Sequence, residues 1–144
     1  MIEDFGRGAV ALDAAIFIYF IEQHPRFLPL VRPIFSQIAE GRREAVTSGV
    51  TLLETLVAPY RAGNAPLADR YEELLTRSRG LRLVAIDGGQ LRAAAQLRAA
   101  YALKTPDALQ LAAALTMRCG AFVTNDRAFP VNVGVRVLQL STYL

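Results

Sequence analysis

Residues 105–126, TPDALQLAAALTMRCGAFVTND, decide the fold. They read as one helix, a tight stop and one buried strand, with an aspartate at each end. Thr105 is a good N-cap, Pro106 suits the first helical position and Asp107 falls in the first turn. Leu109, Ala112, Ala113 and Met117 recur at helical spacing, and Cys119-Gly120 supplies the stop. AFVT is a short apolar strand that Asn125-Asp126 ends. A chain that runs out along a helix and back along a strand leaves Asp107 and Asp126 near opposite ends of the unit. They converge only if the start of the helix leans over the carboxyl edge of the strand, as α/β sheets permit.

The rest of the chain repeats this alternation. Gly8 to Leu12 is an apolar strand ended by Asp13, and Ala14 to Glu22 continues as a helix that His24-Pro25 breaks. Pro29 to Glu40 is a second helix, ended by Gly41, with Pro33 near its start. Glu44 to Ser48 is the next strand. Thr51 to Tyr60 is a helix in which Thr51-x-x-Glu54 fits a capping box. Ala65 to Ser78 is amphipathic and charged on one face. Leu81 to Ile86 is a third strand, and Asp87-x-x-Gln90 caps a helix over Gly88 to Tyr101. Val133 to Leu140 is a last strand, at the sheet edge. The order β-αα-β-αα-β-αα-β-β predicts a parallel α/β sheet with helices on both sides.

At 144 residues the chain predicts a single domain, residues 1–144, with a core that needs no metal or disulfide staple. A hydrophobic share of 53% is high and fits strands buried on both faces. The net charge is only +3, but Lys104 is the single lysine, and arginine forks suit phosphates. Cys119 has no partner for an internal disulfide. Cys119 and His24 together lack the company a structural zinc needs, so both read as core or surface filler. The apolar run near the start follows Glu3-Asp4 and is interrupted by Asp13, which argues against a signal peptide or a membrane span. A cytoplasmic protein is expected.

Asp13 is the least ordinary residue. A carboxylate inside so apolar a run must be hydrogen-bonded, paired or bound to a cation, and capping the following helix is the plain structural alternative. Asp13 and Asp126 both end apolar strands, Glu54 begins the helix after another strand, and Asp107 begins a helix over the same edge. In an open α/β sheet all four gather in the crevice at the carboxyl ends of the strands. So many carboxylates repel one another without a cation. Oxygen-only ligands with no nearby His or Cys point to Mg²⁺ or Mn²⁺.

These residues resemble a PIN domain, and within that group the VapC-type toxin ribonucleases of toxin–antitoxin pairs. The likeness covers nearly the whole chain. It rests on ALDAAIFIYFIE around Asp13, VTSGVTLLETLV around Glu54, KTPDALQLAAAL around Asp107 and FVTNDRAF around Asp126. It implies a three-layer α/β/α sandwich around a mainly parallel sheet of four to five strands. It implies that Asp13, Glu54, Asp107 and Asp126 form the acidic metal site, with Thr124 as a polar helper, and that the protein is a homodimer with a cognate antitoxin. One departure stands out. The family usually has a hydroxyl residue and then Asn or Ser after the first aspartate, where this chain has Ala14-Ala15. Loss of such outer contacts weakens metal binding by roughly ten- to a hundredfold.

The expected activity is metal-assisted hydrolysis of RNA phosphodiester bonds. The resemblance implies products with 5′-phosphate and 3′-hydroxyl ends. Lys104 and Arg127, the cations nearest the crevice in sequence, are the candidates for phosphate contacts. A non-catalytic or weakly active module that binds RNA or a protein partner is the alternative, and Ala14-Ala15 favours it. A phosphoacceptor domain using Asp87 is disfavoured. Leu12 and Ala14 flank Asp13 where a second acid is needed, and no lysine follows Lys104.

Overall fold

Apolar runs without alternation become strands covered on both faces. The computed structural model describes all of residues 1–144. In chain order it has β1 (Val10–Leu12), α1 (Ala14–Ile21), α2 (Leu28–Ala39), β2 (Ala45–Ser48), α3 (Val50–Arg61), α4 (Ala65–Arg77), β3 (Leu81–Val84), α5 (Gly88–Tyr101), α6 (Thr105–Thr116), β4 (Ala121–Thr124) and β5 (Arg136–Gln139). The five strands form one sheet in the order β3-β2-β1-β4-β5, with every pair parallel. β5 takes the edge position that the sequence predicts. No helix is long and apolar enough to cross a membrane.

Successive strand residues face opposite layers. Val10, Leu12 and Val123 join Ile16 and Phe17 of α1 and Val31 and Ile34 of α2 in one core. Ala11 and Phe122 join Leu97 of α5 and Leu111 and Ala112 of α6 in the other. This is the expected three-layer α/β/α sandwich. From β1 the chain moves outward to β2 and β3, then returns to place β4 and β5 on the other flank of β1. The order therefore reverses between β1 and β4. The carboxyl side of such a switch point is where open α/β sheets bind ligands.

Three local expectations are corrected. Lys104, not Thr105, is the N-cap of α6, and no side chain caps that end; Thr105 is already helical and Pro106 sits in the first turn, as Pro can. The Thr51-x-x-Glu54 capping box does not form, because α3 begins earlier with Gly49 as its N-cap. Thr51 is then buried inside the helix and its hydroxyl is committed elsewhere, which frees Glu54. α6 ends at Thr116 with Arg118 in the left-handed region (φ 53°), so Gly120 is not its stop. Asp87 does cap α5, accepting from the Gln90 backbone N–H at 2.9 Å.

Gly120 has a different necessity. A Cβ there would lie 2.2 Å from the Arg7 carbonyl oxygen and 2.4 Å from that of Phe5, because the N-terminal segment crosses directly over it. Gly120→Ala should therefore destabilise the fold by about 1–3 kcal/mol, the cost of forcing backbone apart. Gly88→Ala, where a Cβ meets nothing within 4 Å, should melt at or above the wild-type temperature. Thermal melts of the two variants check this; equal losses would contradict it.

Candidate active site

β1 and β4 end side by side, so the residues that follow them emerge together. The Asp13 backbone N–H donates to the Val123 carbonyl at 3.0 Å, extending the ladder one step past the strand. Asp13 Oδ1 accepts from the Ala14 N–H at 2.8 Å, and Oδ2 accepts from Thr124 Oγ1 at 2.6 Å. Asp13 is therefore both the cap of α1 and a residue of the crevice. The two readings do not compete, because one carboxylate oxygen serves each.

The fully buried Thr124 hydroxyl also accepts from the Asp126 N–H at 3.0 Å, which ties the two aspartates through one oxygen. Asp126 is held in its own turn, with Oδ1 accepting from the Ala128 N–H at 2.9 Å. Asn125 is an anchor and not a free polar group: Nδ2 donates to Tyr19 Oη, and Oδ1 accepts from the Ser141 N–H. Glu54 comes in from α3 and Asp107 from the first turn of α6.

Asp13, Glu54, Asp107 and Asp126 line one cleft of about 480 Å³. The puzzle of Asp107 and Asp126 resolves because α6 starts over the carboxyl edge that β4 runs toward. Arg127 lines the same cleft, and so do Ala14, Ala15, Ile18 and Tyr19. Lys104 does not line it, although its charge favours the ionised form of Asp107.

The electrostatics carry the mark of this crowding. Burial pushes the Asp13 carboxyl above its ordinary value, and Asp126 adds to that, while the Thr124 hydroxyl and Ala14 N–H oppose it. Burial first, then the charges of Asp13 and Asp107, raise Glu54; the Gln110 amide pulls it the other way. Burial, Asp126 and Asp13 raise Asp107. Each of these three acids feels others of the quartet, as groups gathered at one edge must.

All the candidate donors are carboxylate oxygens, a set that suits Mg²⁺ or Mn²⁺ in chemistry. No three His, Cys, Asp or Glu side chains stand in an arrangement that could hold a metal ion as they are. The acids share a cleft without forming a finished cage. Cys119 is half-buried with its thiol pushed up to about 11 by burial, and His24 Nδ1 accepts two backbone N–H groups.

Residues that sequence reasoning missed lie just behind the cleft. Gln110, Thr47 and Thr51 form a buried polar cluster beside Glu54, and Tyr19 forms part of the wall. A glutamine inside an otherwise apolar helix was the available signal; the capping-box pattern concealed Thr51.

The family model of the PIN domain matches residues 10–133, from the first strand to beyond Asp126. The chain belongs to the PIN-domain family. Solved structures repeat the fold of this PIN domain. It superposes on VapBC2 from Rickettsia felis bound to a DNA fragment from their promoter with a TM-score of 0.71, at 15% identity, covering 91% of this chain and 98% of that one. A toxin–antitoxin complex from Klebsiella pneumoniae gives 0.68 at 21% identity, covering 92% and 98%. DNA-bound VapBC from Salmonella typhimurium gives 0.65 at 22% identity, covering 93% and 99%. None of the curated proteins matches the chain.

The raised acids have a consequence for stability. A carboxyl whose folded pKa is raised binds its proton more tightly when folded, so its contribution falls as pH rises above the ordinary value, 3.8 for Asp107. In EDTA, Asp107→Asn in this PIN domain should raise the melting temperature at pH 7 by a few degrees, and the gain should vanish as pH falls toward 4. A variant that melts below wild type at both pH values would contradict this.

Proposed function

We propose that this PIN domain is a metal-dependent endoribonuclease of the VapC type, the toxin of a toxin–antitoxin pair. The observation that carries the reading is the convergence of Asp13, Glu54, Asp107 and Asp126 on one cleft at the switch point of the sheet. Their oxygens would hold one or two Mg²⁺ or Mn²⁺ ions. Such an ion supplies Lewis-acid activation of water and neutralises charge on the phosphate.

The chain's own residues supply the rest. Thr124 keeps Asp13 aimed into the cleft and fixes the turn that presents Asp126. Arg127, which lines the cleft, would meet the RNA backbone. Lys104, one turn from Asp107, adds positive field from outside the cleft. No histidine lines the cleft, so the acidic cluster itself must orient the attacking water and accept its proton. The similarity in fold to complexes described as toxin–antitoxin assemblies supports an antitoxin partner, and the family resemblance supports a homodimer.

A binding module without catalysis is the second reading. Ala14 and Ala15 favour it, since they present only methyl groups to the cleft where the family usually has polar side chains.

Purified chain incubated with RNA separates the two. Cleavage should require Mg²⁺ or Mn²⁺ and stop in EDTA. Asp107→Asn should reduce it by roughly a hundredfold or more, a barrier increase of about 3 kcal/mol. Cleavage that persists in the variant or in EDTA would refute the site; RNA binding with no cleavage under any condition would establish the second reading. Expression of the chain should arrest growth, and co-expression of a small protein encoded in the adjacent reading frame should relieve the arrest.

A further inference from the structure

Helix α6 is buried continuously from Ala108 to Ala114, and Gln110 is the one polar side chain in that run. It is 2% exposed. An amide removed from water is tolerated only if both its ends are hydrogen-bonded. Both are. Nε2 donates to Thr51 Oγ1 at 2.6 Å, and Oε1 accepts from the Ser48 N–H at 3.2 Å. The Thr51 and Thr47 hydroxyls lie 2.6 Å apart, and Thr47 Oγ1 donates to the Leu12 carbonyl at 2.8 Å.

Each hydroxyl has a single proton; with that of Thr47 given to the Leu12 carbonyl, its shortest acceptor other than Thr51, the Thr51 proton is left for Thr47. Gln110 N–H goes to Thr51, Thr51 O–H to Thr47, and Thr47 O–H to the Leu12 carbonyl. The ends of this relay are telling. Leu12 immediately precedes Asp13. Thr51 lies one helical turn before Glu54 on α3, and Gln110 one turn after Asp107 on α6.

An apolar side chain of similar volume, with apolar partners, would serve stability about as well. Apolar packing alone also lets helices shift against one another, whereas a fully satisfied polar network specifies one arrangement. We propose that Gln110 is a positioning residue of the acidic site. Through Thr51 and Thr47 it locks the first turns of α6 and α3 to the end of β1, and so keeps Asp107 and Glu54 within reach of an ion bound at Asp13. This rests on the metal-site reading above.

The test measures Mn²⁺ affinity of the purified chain from the loss of the free-ion EPR signal, with melts in EDTA alongside. Gln110→Met and Thr51→Val should each weaken Mn²⁺ binding by roughly tenfold, the scale of losing a group that orients a ligand, while still melting cooperatively. Thr51→Ser, which keeps the hydroxyl, should bind as wild type does. Should Gln110→Met fail to fold, the Thr51→Val and Thr51→Ser pair decides the matter. Wild-type affinity in Thr51→Val, or equal weakening in Thr51→Ser, overturns the proposal, because the relay then only fills space. A wild-type chain that binds no Mn²⁺, or binds it unchanged in Asp107→Asn, overturns the metal-site reading first and this inference with it.

Discussion

The register of β1 against β4 is the constraint on which the site depends. Leu12 lies opposite Val123, so Asp13 and Thr124 come next in line at the carboxyl edge, and a hydroxyl proton joins them. A slip of one residue would turn Thr124 to the other face. Asp13 would lose its donor, and Asp126 would lose the oxygen that fixes its turn. Both strands are covered on both faces, so the register is held by two cores at once. Val10, Leu12 and Val123 must meet α1 and α2, while Ala11 and Phe122 must meet α5 and α6. The hydrophobic effect aligns the strands, and the alignment places the acids.

That placement works against stability. Burial and mutual repulsion raise three of the carboxyls, and the structure offsets only part of this with the Thr124 hydroxyl, the Ala14 N–H, the Gln110 amide and the charge of Lys104. A sequence selected for folding alone would not gather like charges at one edge. Local rules fail in this way where function is served. The flanking helices show the contrast: Asp87 stands on an exposed surface, where it caps α5 by accepting from the Gln90 N–H.

Much of this was legible in the sequence. The alternation of apolar runs with helical periodicity is a local signal, and it yielded every strand and α-helix in order. The family resemblance named Asp13, Glu54, Asp107 and Asp126, and the structure brings these four into one cleft. What stayed hidden is non-local. Thr51-x-x-Glu54 has the pattern of a capping box, but Gly49 caps the helix two residues earlier and the Thr51 hydroxyl faces Thr47 and Gln110 instead. Gly120 looked like a helix stop, yet its need arises from the Phe5 and Arg7 backbone that crosses it. Gln110 stands among alanines and leucines with nothing nearby in sequence to announce its partners, which sit on two other elements. Lys104 and Arg127 were equal candidates by position, and only the fold separates them, with Arg127 in the cleft and Lys104 outside it.

On the proposed reading, separate elements deliver four acidic side chains to one shared metal site. Anomalous diffraction from a crystal soaked in Mn²⁺ tests it most directly. The account predicts a peak between β1 and β4, with oxygens of Asp13, Glu54, Asp107 and Asp126 closing around it at bonding or water-bridged distance. Manganese bound elsewhere, or a cleft whose acids keep apart with no peak among them, would contradict it.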